Sequence, residues 1–356
     1  MNWWQRLKNN PLARWGAMIL AMFFLVAIAA EFVAPNDPYA SQPNGALLPP
    51  TTIYWRSPDT GQWLGPNIYP TTLGGIDVET GDRELQVDTS QPSPLRLFAQ
   101  GDSYRWLGLV PGDRHLIGAV GPAKLNLVGT DEQGRDQFSR LVYGSRISLT
   151  IGLVGIGISF PLGMLFGGIS GYFGGWIDSI IMRSTEVLMT IPSIYLLVAL
   201  AGNLPSSLTS AQRFLLIVAI TAFVSWAGLA RVIRGQVLTI KEQAFVQSAR
   251  AVGARSLYII VRHILPQTAT YVIISATLAI PSFIIAESVL SLIGLGIQQP
   301  DPSWGNLLSL STNASILVLQ PWLVWPPAVA IVITVLSFNL LGDGLRDALD
   351  PRNLER

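Results

Sequence analysis

Long apolar stretches alternate with polar ones along this chain, and the lengths of the apolar stretches decide how it is read. From Trp15 to Ala34 the only charged residue is Glu31. A helix rising 1.5 Å per residue needs about 20 apolar residues to cross a bilayer. Past Ser148 five further stretches of that kind follow, at roughly 148–171, 178–200, 212–233, 266–296 and 323–342. Pro161, Pro192 and Pro281 fall inside three of them, and glycine is common. Membrane helices tolerate both where neighbours re-satisfy the backbone, and small residues let helices approach closely. The pattern predicts six membrane-spanning helices.

Between residues 35 and 140 the pattern changes. Apolar residues come in short runs, such as Ile53-Tyr54-Trp55 and Trp106-Leu107-Gly108-Leu109-Val110, punctuated by Pro58-Asp59 and Pro111-Gly112-Asp113. Runs bounded by turn residues read as short strands and hairpins. The expected fold class is an all-α polytopic membrane protein, one N-terminal helix plus a five-helix core, with a β-rich insertion outside the membrane. At the end of the insertion Asp136 suits an N-cap, and Phe138, Leu141 and Val142 share a helical face, so a short interfacial helix is expected over 137–147. Asp131, Glu132 and Asp136 lack the spacing of an EF-hand loop, and no metal is expected there.

Charge sets the orientation. The region joining the fourth and fifth stretches holds Arg231, Arg234, Lys241, Arg250, Arg255 and Arg262 against Glu242 alone, while 201–211 and 298–322 contain no Lys or Arg. By the positive-inside rule the basic loop and both termini face the cytoplasm, and 35–140 lies outside. A basic start, an apolar core and Ala27-Ile28-Ala29 also fit a cleaved signal peptide. The apolar run continues beyond that point and further spans follow, so an uncleaved first helix is expected.

Composition supports a bilayer setting. Half the residues are hydrophobic and 13% are charged, against about 25% in soluble domains. With 23 basic and 22 acidic residues there is no global field to attract nucleic acid. No cysteine is present, which removes disulfides and thiolate metal sites. Lys8, Lys124 and Lys241 follow Leu7, Ala123 and Ile240, so none can belong to a phosphate-binding loop, which requires Gly before its Lys. His115 and His263 are expected on opposite sides of the membrane. No nucleophile–base pair stands out, and the chain is read as a non-enzyme.

Ionisable residues within the spans are few. Arg183 and Glu186, spaced i and i+3, can meet on one helix face, and we read them as a structural pair. Glu287, within Ala286-Glu287-Ser288, reads equally as a structural anchor or as part of a pathway or gate. Charges at such depths usually face a bundle interior.

The longest polar interruption in the second half runs from Lys241 to Pro266. Ala244, Phe245, Ser248, Ala249 and Ala251 give a short helix a small-residue face. Gly253 permits a left-handed turn after it, and Ser256 is the expected N-cap of a restart. Such a helix suits a partner's groove, or equally the surface of anionic lipid.

This segment resembles the cytoplasmic loop signature of ABC import permeases: Glu-Ala-Ala, three residues, Gly, nine residues, then Ile-x-Leu-Pro. Those places hold Gln247-Ser248-Ala249, Gly253, His263 and Leu265-Pro266, with the Gly-to-Pro spacing intact. Gln247, Ser248 and His263 depart from the pattern. Gly129-Thr130-Asp131, Gly134-Arg135-Asp136, Ser139-Arg140-Leu141, Gly144 to Leu149, Arg183 with Ile191-Pro192, Glu287 with Leu290 to Gly296, Pro302 to Gly305 and Asn339 to Asp347 look like the second permease subunit of dipeptide and oligopeptide importers. The resemblance covers nearly the whole chain except about 40–125, which is longer than the family pattern.

The resemblance implies an ABC importer permease core and a heterodimer with a second permease. Two cytoplasmic ATPase subunits, which would bind ATP and magnesium, and an extracytoplasmic substrate-binding protein complete the assembly; this chain would bind no cofactor. It implies ATPase coupling through Ala244, Phe245, Gln247, Ser248, Ala249, Gly253, Leu265 and Pro266. The expected layout is a cytoplasmic N-terminus and first span at 1–34, the outer domain at 35–140, the core at 141–345 with its coupling loop at 235–265, and a cytoplasmic tail at 346–356, in a bacterial inner membrane. Rival readings are an ion-coupled secondary transporter, which would need coupling acids near the midplane and often shows internal repeats, and a membrane-anchored scaffold or receptor, which leaves five spans unexplained.

Overall fold

The computed structural model describes residues 3–76, 83–205 and 207–349; the tail from residue 350 onward, expected to be cytoplasmic, lies outside them. The chain divides into two compact units. One comprises residues 1–20, 150–290 and 333–356, the other 21–149 and 291–332.

The chain opens with α1 (Trp3–Asn9) and α2 (Pro11–Ile28). Asn10 between them accepts from the backbone N–H groups of Leu12 and Ala13 at 3.0 and 3.2 Å, while Pro11 takes the first helical position, where no N–H is needed. The long helices that follow are α4 (Gln137–Phe173), α7 (Ser210–Ile240), α10 (Ala269–Leu292) and α13 (Pro321–Leu349). A short α3 (Ala30–Val33) and the pair α5 (Gly175–Thr190) and α6 (Ser193–Ala201) lie between them.

Among the described residues five helical segments are long and apolar enough to cross a membrane. The expected third span is not straight: α5 and α6 meet at 86°, and only if that bent pair counts as one span does the number reach six. Ile191, pushed out of the helical region ahead of Pro192, sits at φ −84°, ψ 125° and ends α5. Pro161 and Pro281 by contrast stay within α4 and α10. The separate interfacial helix expected over 137–147 is corrected to the first three turns of the 37-residue α4. Asp136 does cap it, accepting from Ser139 N at 3.0 Å, but no breaker separates Ile147 from Ser148.

Within the first unit α4 packs on α7 along one seam. A Cβ added to Gly163 would lie 2.9 Å from Leu229 Cβ, at Gly167 2.4 Å from the Ala230 carbonyl oxygen, and at Gly171 2.8 Å from that of Arg234. Spacing of four residues puts the three glycines on one face, where only hydrogen lets the backbones close.

In the second unit the described residues between Tyr54 and Ala119 form six strands: β1 (Tyr54–Arg56), β2 (Trp63–Ile68), β3 (Thr71–Ile76), β4 (Arg83–Val87), β5 (Ser93–Trp106) and β6 (Val110–Ala119). A four-stranded antiparallel sheet runs β1-β2-β5-β6, and β3 pairs with β4. Its core is small, with Ile68, Ala123 and Leu125 buried and Leu95, Ile117 and Ala119 packed against them. Two short helices, α11 (Trp304–Leu308) and α12 (Ala314–Leu319), follow later in this unit, and groups at the start of α4 bond to α11 and to the start of α13. Arg140, wholly buried, donates to the carbonyls of Pro38 and Pro300, each at 3.1 Å, and to Gln299 at 2.7 Å. Gln137 reaches the Leu323 carbonyl at 3.0 Å, and the Trp304 indole the Leu141 carbonyl at 3.0 Å.

Candidate functional site

The loop after α7 folds into α8 (Ala244–Ala251), then α9 (Ser256–Ile259), a π-helical turn (Ile260–Ile264) and a 3-10 turn (Leu265–Thr268) leading into α10. Val246 anchors α8. It is fully buried among Tyr172, Leu229, Ile233, Val237, Ile259, Ile260, Ile264 and Leu265, with Ala249 and Ala254 packed at the edge. Burying one valine side chain contributes about 1.5–3 kcal/mol.

The helix ends in a Schellman cap. Gly253 N donates to the Arg250 carbonyl at 2.9 Å, and Ala254 N to that of Ala249 at 3.1 Å. Gly253 takes φ +78°, and an added Cβ there would have no atom of the chain within 4 Å. The glycine is therefore required by the backbone, not by lack of space within this chain. Ser256 is not the N-cap expected for the restart. Arg255 occupies that place without a side-chain cap bond, and Ser256 is the first helical residue.

These contacts leave one side of the joint bare. Ala244, Phe245, Gln247, Ser248 and Gly253 are exposed, as are Leu257 and Tyr258, and Val252 at the apex is 84% exposed. Arg250, Arg255 and Arg262 stand exposed among them. Leu265 turns inward into the cluster that holds Val246, while Pro266 at the first 3-10 turn is exposed. Of the residues singled out in the loop, Ala249 and Leu265 thus face the protein and the rest face outward.

Of three ties that sequence reasoning missed, two hold the joint to α4 and the third clasps α7 to α5. Arg250 lies over the Tyr172 ring, 4.5 Å from its centroid, and its Nε donates to the Tyr172 hydroxyl at 3.1 Å. Lys241 Nζ donates at 3.0 Å to the carbonyl of Gly171 near the C-terminus of α4, where a cation suits the helix dipole. Arg234 on α7 grips Asp178 on α5 through Nε and Nη2, each at 2.6 Å, and Ser170 donates to the same carboxylate. Asp178 and Arg234 are 56 residues apart, and no local spacing signals their meeting.

The intramembrane candidates lie on other helices. Arg183 Nη1 donates to Glu186 at 2.9 Å on α5, yet the pair is open, with side chains 83% and 49% exposed. Glu287 on α10 is fully buried.

Several bilayer-length helices, two of them joined by a compact loop with one anchored face and one bare face, define a polytopic membrane protein. Residues 161–355 match the family described as binding-protein-dependent transport system inner membrane component, and residues 2–50 match the N-terminal TM domain of oligopeptide transport permease C. The dipeptide transport system permease protein of Bacillus subtilis (strain 168) is 33% identical over 349 residues, covering 98% of this chain and 84% of that protein. The oligopeptide transport system permease protein of Haemophilus influenzae is 42% identical over 225 residues, 63% of this chain and 70% of its own. A glutathione transport system permease protein of Escherichia coli O6:K15:H31 is 42% identical over 232 residues, 65% of this chain and 74% of its own. The solved methionine ABC transporter in an inward-facing form aligns over 60% of this chain with a TM-score of 0.43 and 20% identity. The chain belongs to the inner-membrane permease family of binding-protein-dependent ABC importers. It is a non-catalytic transmembrane subunit, and ATP hydrolysis belongs to a separate chain.

Proposed function

We propose that this chain is half of the translocation pathway of a peptide importer. It pairs with a second, different permease subunit and is driven by two cytoplasmic ATPase subunits that bind ATP and magnesium. An extracytoplasmic binding protein delivers the substrate. The observation that carries this reading is the α8 joint: Val246 locks it into the core, while Phe245, Val252, Leu257 and Tyr258 stand bare beside three arginines. Exposed apolar groups rimmed by charge suit a protein cleft. Ala244, Gln247, Ser248, Gly253 and Pro266 belong to the same exposed face, and Ala249 and Leu265 transmit its movement inward. Because Arg250 and Lys241 tie the joint to α4, and Arg234 clasps α7, which leads into the joint, to α5, closure of the ATPases moves those helices as rigid bodies. Peptide cargo is supported by the names of the dipeptide and oligopeptide relatives.

The basic loop and both termini, including the tail from 346, then face the cytoplasm. The bent α5–α6 pair counts as the sixth span, and the region 35–140 lies outside, at the mouth used by the binding protein. An open ion pair is costly against lipid, so Arg183 and Glu186 meet either the second permease or a watery pathway. The test is to purify the tagged chain from gently solubilised membranes and identify what accompanies it. Two ATPase chains and a second permease are expected, with the ATPases lost when Gly253 becomes Val and peptide uptake lost with them. A homo-oligomer without ATPases would overturn the reading.

A further inference from the structure

The β5–β6 hairpin ends in an apolar tip with no cover. Its loop is Leu107-Gly108-Leu109, with Trp106 and Val110 paired across the last rung of the ladder. Leu109 is 80% exposed, and Trp106, Leu107 and Val110 are between 42% and 53% exposed. Leu107 adopts φ +50°, a conformation that hairpin turns ordinarily give to Asn, Asp or Gly. Leucines at an outward-facing turn gain nothing in water.

The position of this tip is fixed. The Trp106 indole donates to the Ile28 carbonyl at 2.8 Å, and Leu107 N donates to Glu31 at 3.1 Å. Higher on the hairpin the Phe98 ring lies 5.9 Å from that of Phe32 on α3. Ile28 is the last residue of the candidate span α2, so the tip stands where that helix leaves the hydrocarbon. Met22, Leu25 and Ile28 form an exposed apolar stripe up the same helix, and the tip continues it. Arg105, one residue back from the tip, is exposed, where a guanidinium can reach phosphates while its stem stays apolar.

We propose that this hairpin tip is a membrane-interface anchor: Trp106, Leu107, Leu109 and Val110 insert among the lipid acyl chains at the level of Ile28 and pin the sheet to the bilayer surface. Tryptophan at the boundary and leucine just inside it are the residues this depth selects. The inference rests on α2 spanning the membrane and on nothing about cargo or partners.

The chain lacks cysteine, so a single label can be placed at will. Leu109→Cys, Leu25→Cys and Asp59→Cys would each carry a nitroxide in the assembled transporter, with partner cysteines replaced by serine, in phosphatidylcholine–phosphatidylglycerol vesicles. Collisional relaxation by oxygen, which concentrates in lipid, and by a water-soluble nickel chelate is then measured. Positions 25 and 109 are expected to favour oxygen several-fold, and position 59 the chelate. A label at 109 as open to chelate as that at 59, with 25 still in lipid, overturns the anchor. A label at 109 shielded from both reagents means a protein covers the tip and overturns it too. If 25 is also in water, the reading of α2 fails first.

Discussion

Gly253 allows backbone demand to be separated from space. At φ +78° an L-residue carries left-handed strain of about 1–2 kcal/mol, and asparagine less. No atom of the chain lies within 4 Å of an added Cβ, so this strain is the whole intramolecular cost of Gly253→Ala. An energy of that size shifts the capped-to-frayed ratio about 5- to 30-fold. Gly253→Asn is therefore expected to be the mildest change, Gly253→Ala intermediate, and Gly253→Val the worst, because a β-branched residue tolerates the conformation least. The assay is peptide uptake per ATP hydrolysed in vesicles holding the complete transporter, with insertion checked by the yield of this chain in the membrane fraction. Asn behaving as badly as Val would refute the backbone argument and assign the demand to a tight partner cleft. Val with normal uptake would refute any role for the cap in coupling.

Asp178→Asn and Arg234→Gln should each lower stability by about 1.5–3 kcal/mol, the range for hydrogen bonds to charged groups, and a double-mutant cycle on unfolding in detergent should recover a coupling of about 1–3 kcal/mol; additivity would mean that the two do not act as a pair. Arg146 holds Glu31 and donates to the Ala27 and Ile28 carbonyls at 2.6 and 3.0 Å. Arg146→Met should thus cost about 3–5 kcal/mol by leaving a buried carboxylate unpaired, and adding Glu31→Gln should restore part of it, both read from unfolding midpoints. Burial raises the Asp136 carboxyl from 3.8 to about 6. Its protonated form is the one the fold prefers, so its contribution is complete below about pH 3.8 and lost as pH rises through about 6, a change of about 3 kcal/mol at 1.36 per unit. The difference in thermal midpoint between the wild type and Asp136→Asn should follow that window, and a flat difference would count against it.

Much of the helical frame was legible because span length and apolar composition are local properties. The α8 cap was legible for the same reason, since a glycine after a small-residue helix states its own geometry. Pro161, Pro192 and Pro281 carry the same chemistry, yet only Pro192 breaks its helix. A proline removes one N–H wherever it sits; whether a bend of 86° follows is decided by surroundings not encoded beside it. The Asp178–Arg234 clasp and the Tyr172–Arg250 contact join residues far apart in sequence, so no periodicity announces them. Ser256 shows the opposite failure: a favoured capping residue stands one position too late, because the Schellman turn around Gly253 sets where α9 begins.

The glycine seam between α4 and α7 has a mechanical consequence. At Gly167 and Gly171 the α4 backbone closes on the Ala230 and Arg234 carbonyls and on the Cβ atoms of Ile233 and Val237, which leaves little to compress, so the two helices form a single stiff beam. On the proposed coupling, such a beam loaded at one end by α8 would not absorb the stroke by flexing along its length but deliver the displacement at its far end. Inserting one methyl at Gly167 would splay the beam before it weakened any other contact. On the same proposal, uptake per ATP would then fall while the ATPases still co-purified with the chain.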